Sequence, residues 1–202
     1  MAILYLASQS YSRAMLLKES QIDFIVIHQD ADESQCDWNL PIEKVVESIA
    51  VHKMEHLVLQ PHEQNAVVYV LTADTLVQDA YGALHGKPID YQDAVEKIKK
   101  LRNGTRIVTS FCLDKKRFSG DHWIIEQRVQ VTVEASCSMI IPDNAIDDYL
   151  AALPLALKCA GAMALEGYGM QFVKSLSGSY SALLGLPLYE LRQALQAIGF
   201  YD

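Results

Sequence analysis

The chain lacks most of the features that declare a function on sight. Its four cysteines, Cys36, Cys112, Cys137 and Cys159, are scattered, and no two stand at a CxxC or zinc-type interval. They read as buried free thiols in a reducing compartment, not as a disulfide frame or a metal site. There is no basic excess either: the net charge is -8, which argues against a protein that coats nucleic acid, since that work needs a basic face. No apolar run is long enough to cross a bilayer. The opening Met1 to Ala7 has no basic leader, so it reads as a first strand and a cytoplasmic protein is expected. The phosphate-cradling patterns GxxxxGKS/T and GxGxxG are missing, which removes P-loop and dinucleotide-fold chemistry. With no repeat, low-complexity tract or linker, residues 1–202 are expected to form one domain, long enough for a real core.

What is present centres on Val70-Leu71-Thr72-Ala73-Asp74-Thr75-Leu76-Val77. This is a β-branched, largely apolar run carrying one acid and then a hydroxyl. A desolvated carboxylate without a partner costs several kcal/mol, on the order of a whole core side chain, so an acid in a buried strand is held there for a metal, a phosphate or a proton. Downstream, Gly82 to Pro88 supplies a turn with Lys87 pinned before a proline. Asp74 and Lys87 read as two halves of one hairpin-borne site.

The remaining elements follow from periodicity. Ile3–Ala7 is a strand, and Ser8-Gln9-Ser10 opens a helix from about Ser12 to Ser20. Hydroxyls at a helix N-terminus followed by Arg13 describe an anion-binding corner, although serine is also an ordinary cap. Phe24–Ile27 is a second strand, followed by an acidic loop, Asp30 to Ser34, that composition alone would leave solvated. Pro41 to about Leu59 has Val45, Val46, Ile49, Ala50, Met54 and Leu57 at helical spacing, with Lys53 reading as a surface lysine. Tyr91–Leu101 is a helix and Arg106–Leu113 a strand. Asp114 to His122 is expected as a charged, solvated hairpin tip, and Trp123–Met139 as one or two long strands alternating in the manner of a half-exposed sheet. A helix over Ala145–Ala152 is expected with Asp143 or Asn144 as its cap. A run rich in small residues around Glu166, a strand over Phe172–Leu176 and a terminal helix behind Pro187 complete the chain.

The chemistry-bearing residues gather at strand ends and in turns. Ser8, Ser10, Arg13, Lys53 and Lys87 suit phosphates; Glu33, Asp74 and Glu166 suit a divalent metal and the activation of water, which is what hydrolysis of a phosphoanhydride requires.

The motifs extend this reading. Leu6-Ala7-Ser8-Gln9-Ser10-Tyr11-Ser12-Arg13-Ala14-Met15-Leu16-Leu17 resembles the Leu-Ala-Ser-x-Ser-Pro-Arg-Arg-x-x-Leu-Leu signature of the Maf family of nucleoside triphosphate pyrophosphatases. Asp32-Glu33, Ala50-Val51-His52-Lys53, Ala73-Asp74-Thr75-Leu76-Val77, Gly86-Lys87-Pro88, and Gly178-Ser179-Tyr180 with Gly185-Leu186-Pro187-Leu188 are similar to that family's further motifs, in the same order along nearly the whole chain. The resemblance implies a mixed α/β fold, with a long curved mixed sheet, flanking helices and two lobes around a central cleft. It implies a house-cleaning hydrolysis of a nucleoside triphosphate between the α- and β-phosphates, with Mg2+ or Mn2+, commonly by a homodimer. Carried over, Asp74 is the proton acceptor, Glu33 and Asp74 hold the metal, and Lys87 belongs to the catalytic set. Ser8, Ser10, Arg13 and Lys53 bind the triphosphate, and Ser12, Thr75 and Glu166 occupy specificity positions.

The departures concern the base. The family has Pro at Tyr11 and Arg, or Trp in the 7-methyl-GTP branch, at Ser12. Thr75 is what the dTTP/UTP branch carries. Cys159-Ala160-Gly161 followed by Glu166 resembles the 7-methyl-GTP branch, while Lys158 stands where the dTTP/UTP branch has Asp. A carboxylate at 166 can accept from a purine N1–H and exocyclic amine, which tips the expectation toward a 7-methyl-GTP-like purine over dTTP or UTP. A catalytically weak nucleotide-binding protein on the same fold is the alternative. Neither nucleic acid nor a membrane is an expected partner.

Overall fold

The computed structural model describes residues 3–202. Its strands are β1 (Leu4–Leu6), β2 (Phe24–Val26), β3 (Val67–Asp79), β4 (Leu84–His85), β5 (Thr105–Ser119), β6 (His122–Met139) and β7 (Val173–Ser177). The helices are α1 (Tyr11–Glu19), α2 (Ile42–Glu55), α3 (Tyr91–Leu101), α4 (Ile146–Ala152), α5 (Tyr180–Leu183) and α6 (Leu188–Ala197), with short 3-10 turns between them. One seven-stranded sheet runs in the order β2-β1-β3-β5-β6-β7, with β4 added to β3. It is mixed and open: β1 is parallel to β2 and β3, whereas β4 on β3 and β7 on β6 are antiparallel. The fold is the mixed α/β architecture with flanking helices that the sequence led us to expect. Among the described residues no helix is long and apolar enough to cross a membrane.

The chain divides into two compact units. The first comprises Met1–Asp74, Ser110–Thr132 and Gly185–Asp202; the second comprises Thr75–Thr109 and Val133–Leu184. In the first, β1 lies between β2 and β3 with Tyr5 opposite Ile25 and Val70. Ala50 and Met54 of α2 cover Ala7, Val68, Val70 and Cys112. Helix α2 stops at Glu55, short of the expected Leu59, and His56 closes it by donating its backbone N–H to His52 O.

The charged stretch after Leu113 departs from expectation. Instead of a solvated tip, Asp114 to Ser119 continue β5. Asp114 is completely buried, and its two oxygens accept from Arg128 Nε at 2.7 Å and Nη2 at 2.9 Å. Lys116 Nζ lies 3.4 Å away, and Arg128 also reaches Glu55. The charge run is an alternating strand whose inward acid is neutralised by a cation from the next strand, a pairing that local composition does not contain. Burial, with Asp114 nearby, pushes the Cys112 thiol up to about 12, and burial alone pushes Cys137 to about 11. Both are inert as nucleophiles at neutral pH, and none of the four cysteines is in a disulfide.

In the second unit, α3 shows how the sequence fixes local structure. Asp90 caps it by accepting from Asp93 N at 2.8 Å, and Lys99 and Lys100 sit in its last turn, where the helix dipole favours cations. Its Ala94, Ile98 and Leu101 face the core, the larger two contributing about 1.5–3 kcal/mol each on burial. Tyr149 of α4 is fully buried; its hydroxyl accepts from Ala164 N at 2.7 Å and lies 3.0 Å from Ala162 O, so it knits together the small-residue run. The expected cap of α4 is not there. Asp143 begins a 3-10 turn and pairs with Arg102, and α4 starts without a side-chain cap.

The β3–β4 turn is built around Asp79. One carboxylate oxygen accepts from Tyr81 N and Ala83 N, both at 2.9 Å; the other meets His85 Nε2 at 2.8 Å. Burial alone would raise this carboxyl, but the bonds from His85, Ala83 and Tyr81 and the His85 charge outweigh it and hold the group below the usual range. A depressed carboxyl stabilises the fold above its unfolded value and loses that contribution as pH falls through the folded one. Asp79→Asn is therefore expected to flatten the acid limb of stability, below about pH 4. Urea midpoints across that range measure it.

Candidate active site

Asp74 closes the part of β3 that belongs to the first unit, and it is only 8% exposed. Its Oδ1 accepts from Lys53 Nζ at 2.8 Å. The same ammonium lies 2.8 Å from Glu33 Oε1. Lys53 is thus not a surface residue: it is 6% exposed, in the last turn of α2, and bridges two carboxylates. A cation between two acids offsets their repulsion and is itself neutralised, which is how Lys53 and Asp74 tolerate burial, while Glu33 stays partly in solvent.

The loop that presents Glu33 is ordered by its neighbour. Asp32 accepts from Ser34 N at 3.0 Å, Ser34 Oγ at 2.7 Å and Gln35 Nε2 at 3.2 Å, and the serine bonds hold its carboxyl below the usual range. Asp32 therefore shapes the turn, and Glu33 faces Lys53. The acidic loop that composition alone would leave in solvent is tied to the site through that single residue.

Asp74 Oδ2 is buried with no hydrogen-bond partner. An unmet anionic acceptor costs more than it returns unless something else uses it. The use open to it is a water proton or a hard cation. No group of three or more His, Cys, Asp or Glu among the described residues could hold a metal ion. Mg2+ does not need such a group, since it is commonly held by one or two carboxylates, waters and substrate phosphates. The oxygens of Asp74 and Glu33 fit that donor set.

Ser8, Ser10 and Arg13, the residues expected to hold an anion, form one hydrogen-bonded network. Ser10 caps α1, accepting from Arg13 N at 3.4 Å. Ser8 Oγ accepts from Ser10 N at 3.2 Å and from Arg13 Nη1 at 3.1 Å. Arg13 Nε donates to Gly185 O at 2.8 Å, and Gly185 adopts φ 103°, a conformation glycine reaches without strain. This bond ties the first motif to the last. Burial lowers the Arg13 pKa, with the charges of Asp74 and Glu33 opposing that shift.

The other candidates belong to the second unit. Lys87 is exposed and follows the Asp79–His85 hairpin. Its turn is braced by Gly161 N, which donates to Gly86 O at 3.0 Å. Gly161 adopts φ 64°, which strains any residue with a Cβ, and such a Cβ would lie 2.5 Å from Leu101 Cδ1 and displace that side chain. Thr75 Oγ1 bonds Thr109 Oγ1 at 2.9 Å, and Thr109 in turn donates to Ala182 O at 2.9 Å, tying β3 through β5 to α5. Sequence reasoning missed Thr109, and the pair of adjacent hydroxyls Thr109-Ser110 between the apolar residues Val108 and Phe111 was its signal. Glu166 is partly exposed beside the turn Gly167–Phe172, and Lys158 is exposed. Ser12 is half-buried on α1.

The model of the Maf-like protein family matches residues 3–198. This chain belongs to the Maf family of nucleoside triphosphate pyrophosphatases. It is 33% identical over 201 residues to a dTTP/UTP pyrophosphatase of Caldicellulosiruptor bescii, covering 98% of this chain and 95% of that protein. It is 32% identical over 205 residues to a dTTP/UTP pyrophosphatase of Albidiferax ferrireducens, covering 98% and 97%. A nucleoside triphosphate pyrophosphatase of Trichormus variabilis is 31% identical over 199 residues, covering 96% and 93%. The Maf motifs sit where the geometry gathers polar groups: β1 to α1, the Glu33 turn, the last turn of α2, and the middle of β3.

Proposed function

We propose that this Maf protein hydrolyses a nucleoside triphosphate to the monophosphate and pyrophosphate with Asp74 as the proton acceptor. The observation that carries the reading is the buried, unpartnered Oδ2 of a carboxylate whose Oδ1 is fixed by Lys53. Asp74 takes a proton from water as the water oxygen bonds to the α-phosphorus. The bond from that phosphorus to the bridging oxygen breaks, and pyrophosphate leaves with the electron pair. Ser8, Ser10, Arg13 and Lys53 bind the triphosphate, and Lys87 acts on it from the Gly86–Pro88 turn. Glu33 and Asp74 would hold Mg2+ or Mn2+, which when bound supplies charge neutralisation of phosphate oxygens.

For the base, Glu166 favours a guanine-type edge, because a carboxylate accepts from both N1–H and the exocyclic amine. The substrate proposed is a modified purine triphosphate of 7-methyl-GTP type, consistent with a house-cleaning role. Thr75 and the dTTP/UTP names of two relatives support the second reading, a pyrimidine triphosphate. Pyrophosphate release across modified and standard triphosphates decides between them. The expected result is a higher kcat/KM for 7-methyl-GTP than for dTTP or UTP, reduced about tenfold by Glu166→Gln while the pyrimidine values hold. The reverse order with no effect of Glu166→Gln would establish the pyrimidine reading. Thermal stabilisation by triphosphate and Mn2+ without turnover would instead leave a binding protein, as the departures at Tyr11, Ser12 and Lys158 would allow.

A further inference from the structure

The first unit holds a cavity of about 470 Å3 at the C-terminal end of α2 that shares no residue with the Glu33–Lys53–Asp74 cluster. Its size falls in the range of small-molecule sites, about 300–1,000 Å3. Tyr5 of β1, Val68 of β3, Ile27 and Trp123 supply apolar and aromatic walls. The indole N–H of Trp123 is already given to Gln60 O at 3.1 Å, so its ring serves as an apolar surface.

Two rim imidazoles have their protons placed by other bonds. His56 Nδ1 lies 2.8 Å from His52 O, a carbonyl that can only accept, so the neutral ring carries its proton there and Nε2 is an acceptor. His62 Nδ1 accepts from Glu63 N at 3.0 Å, so its proton is on Nε2, a donor. The cavity therefore joins apolar and aromatic walls to an acceptor on His56 and a donor on His62, and His28, Asp30 and Gln60 complete its polar rim.

We propose that this cavity binds a planar heteroaromatic molecule with an N–H beside a carbonyl on its edge, the chemistry of a nucleobase, free or within a nucleoside. Its N–H meets His56 Nε2 and its carbonyl meets the Nε2–H of His62, while the ring lies against the apolar walls. The site is separate from the one that hydrolyses triphosphate and does not depend on that assignment.

Isothermal calorimetry with uridine, guanosine and uracil tests this on the full chain. At least one is expected to bind at millimolar concentration or below, and comparison of uracil with uridine shows whether the sugar contributes. Where uridine binds, 3-methyluridine, which lacks the edge N–H, should bind about tenfold more weakly, the worth of one neutral hydrogen bond. His56→Phe and His62→Phe, both at exposed positions that keep an aromatic ring, should each cost about the same factor. Asp74→Asn and Glu166→Gln should leave binding unchanged. The proposal is overturned if none of the three probes binds at 10 mM (on the order of the weakest measurable fragment affinity). It also fails if the two histidine variants bind as wild type does, or if binding is lost in Asp74→Asn or Glu166→Gln, which would place the probe in the catalytic site.

Discussion

Asp74→Asn is expected to lower the rate of pyrophosphate release by about 10²-fold or more, the scale of a lost general base, while the fold survives. The reason for the second half is geometric. An asparagine keeps an oxygen for Lys53, and Lys53 keeps Glu33 at 2.8 Å, so no buried charge is stranded. What disappears is the carboxylate oxygen that has no partner in the protein. Single-turnover assays alongside a thermal melt separate the two effects. Full activity in Asp74→Asn would remove the assigned role, and a collapsed melt would show that the bridge to Lys53 is chiefly structural.

Arg128→Met is expected to destabilise the protein by about 3–5 kcal/mol, the cost of removing one partner from a buried ion pair. Asp114 is wholly buried, and without the two guanidinium bonds it retains Lys116 at 3.4 Å and a weak bond from Cys112 Sγ at 3.8 Å. For a chain of this length the melting temperature should fall by about 10 °C. The double variant Asp114→Asn with Arg128→Met should be milder than the single one, because the fully buried carboxylate is gone and the charge left without its partner is Lys116, which is less deeply buried. Urea unfolding of the four proteins gives the coupling. If Arg128→Met moves the midpoint by no more than a surface substitution, the pair is not what holds β5 to β6.

Most of the helices and strands were legible because their signals are local. Helix α3 shows this most clearly: Asp90, the 3.6-residue spacing of Ala94, Ile98 and Leu101, and the terminal lysines all point one way. The acid in β3 was legible too, since an isolated carboxylate in an apolar strand is anomalous on its face. The Asp114–Lys116 run was misjudged because charge density says nothing about which side of a strand an acid faces. Its partner, Arg128, sits on a different strand. The cap of α4 was misjudged because Asp143 had a second use, the ion pair with Arg102.

By itself the sequence determined the mixed α/β class, the order of the elements and membership in a pyrophosphatase family, because patterning and ordered motifs are properties of the chain read from end to end. Tertiary structure alone decided that Lys53 is buried between Glu33 and Asp74, and that Arg13 is locked to the carbonyl of Gly185. It alone decided that Asp114 needs Arg128. These facts depend on groups far apart along the chain sharing a space too small for water, and burial sets both the cost of a charge and the partner that cancels it.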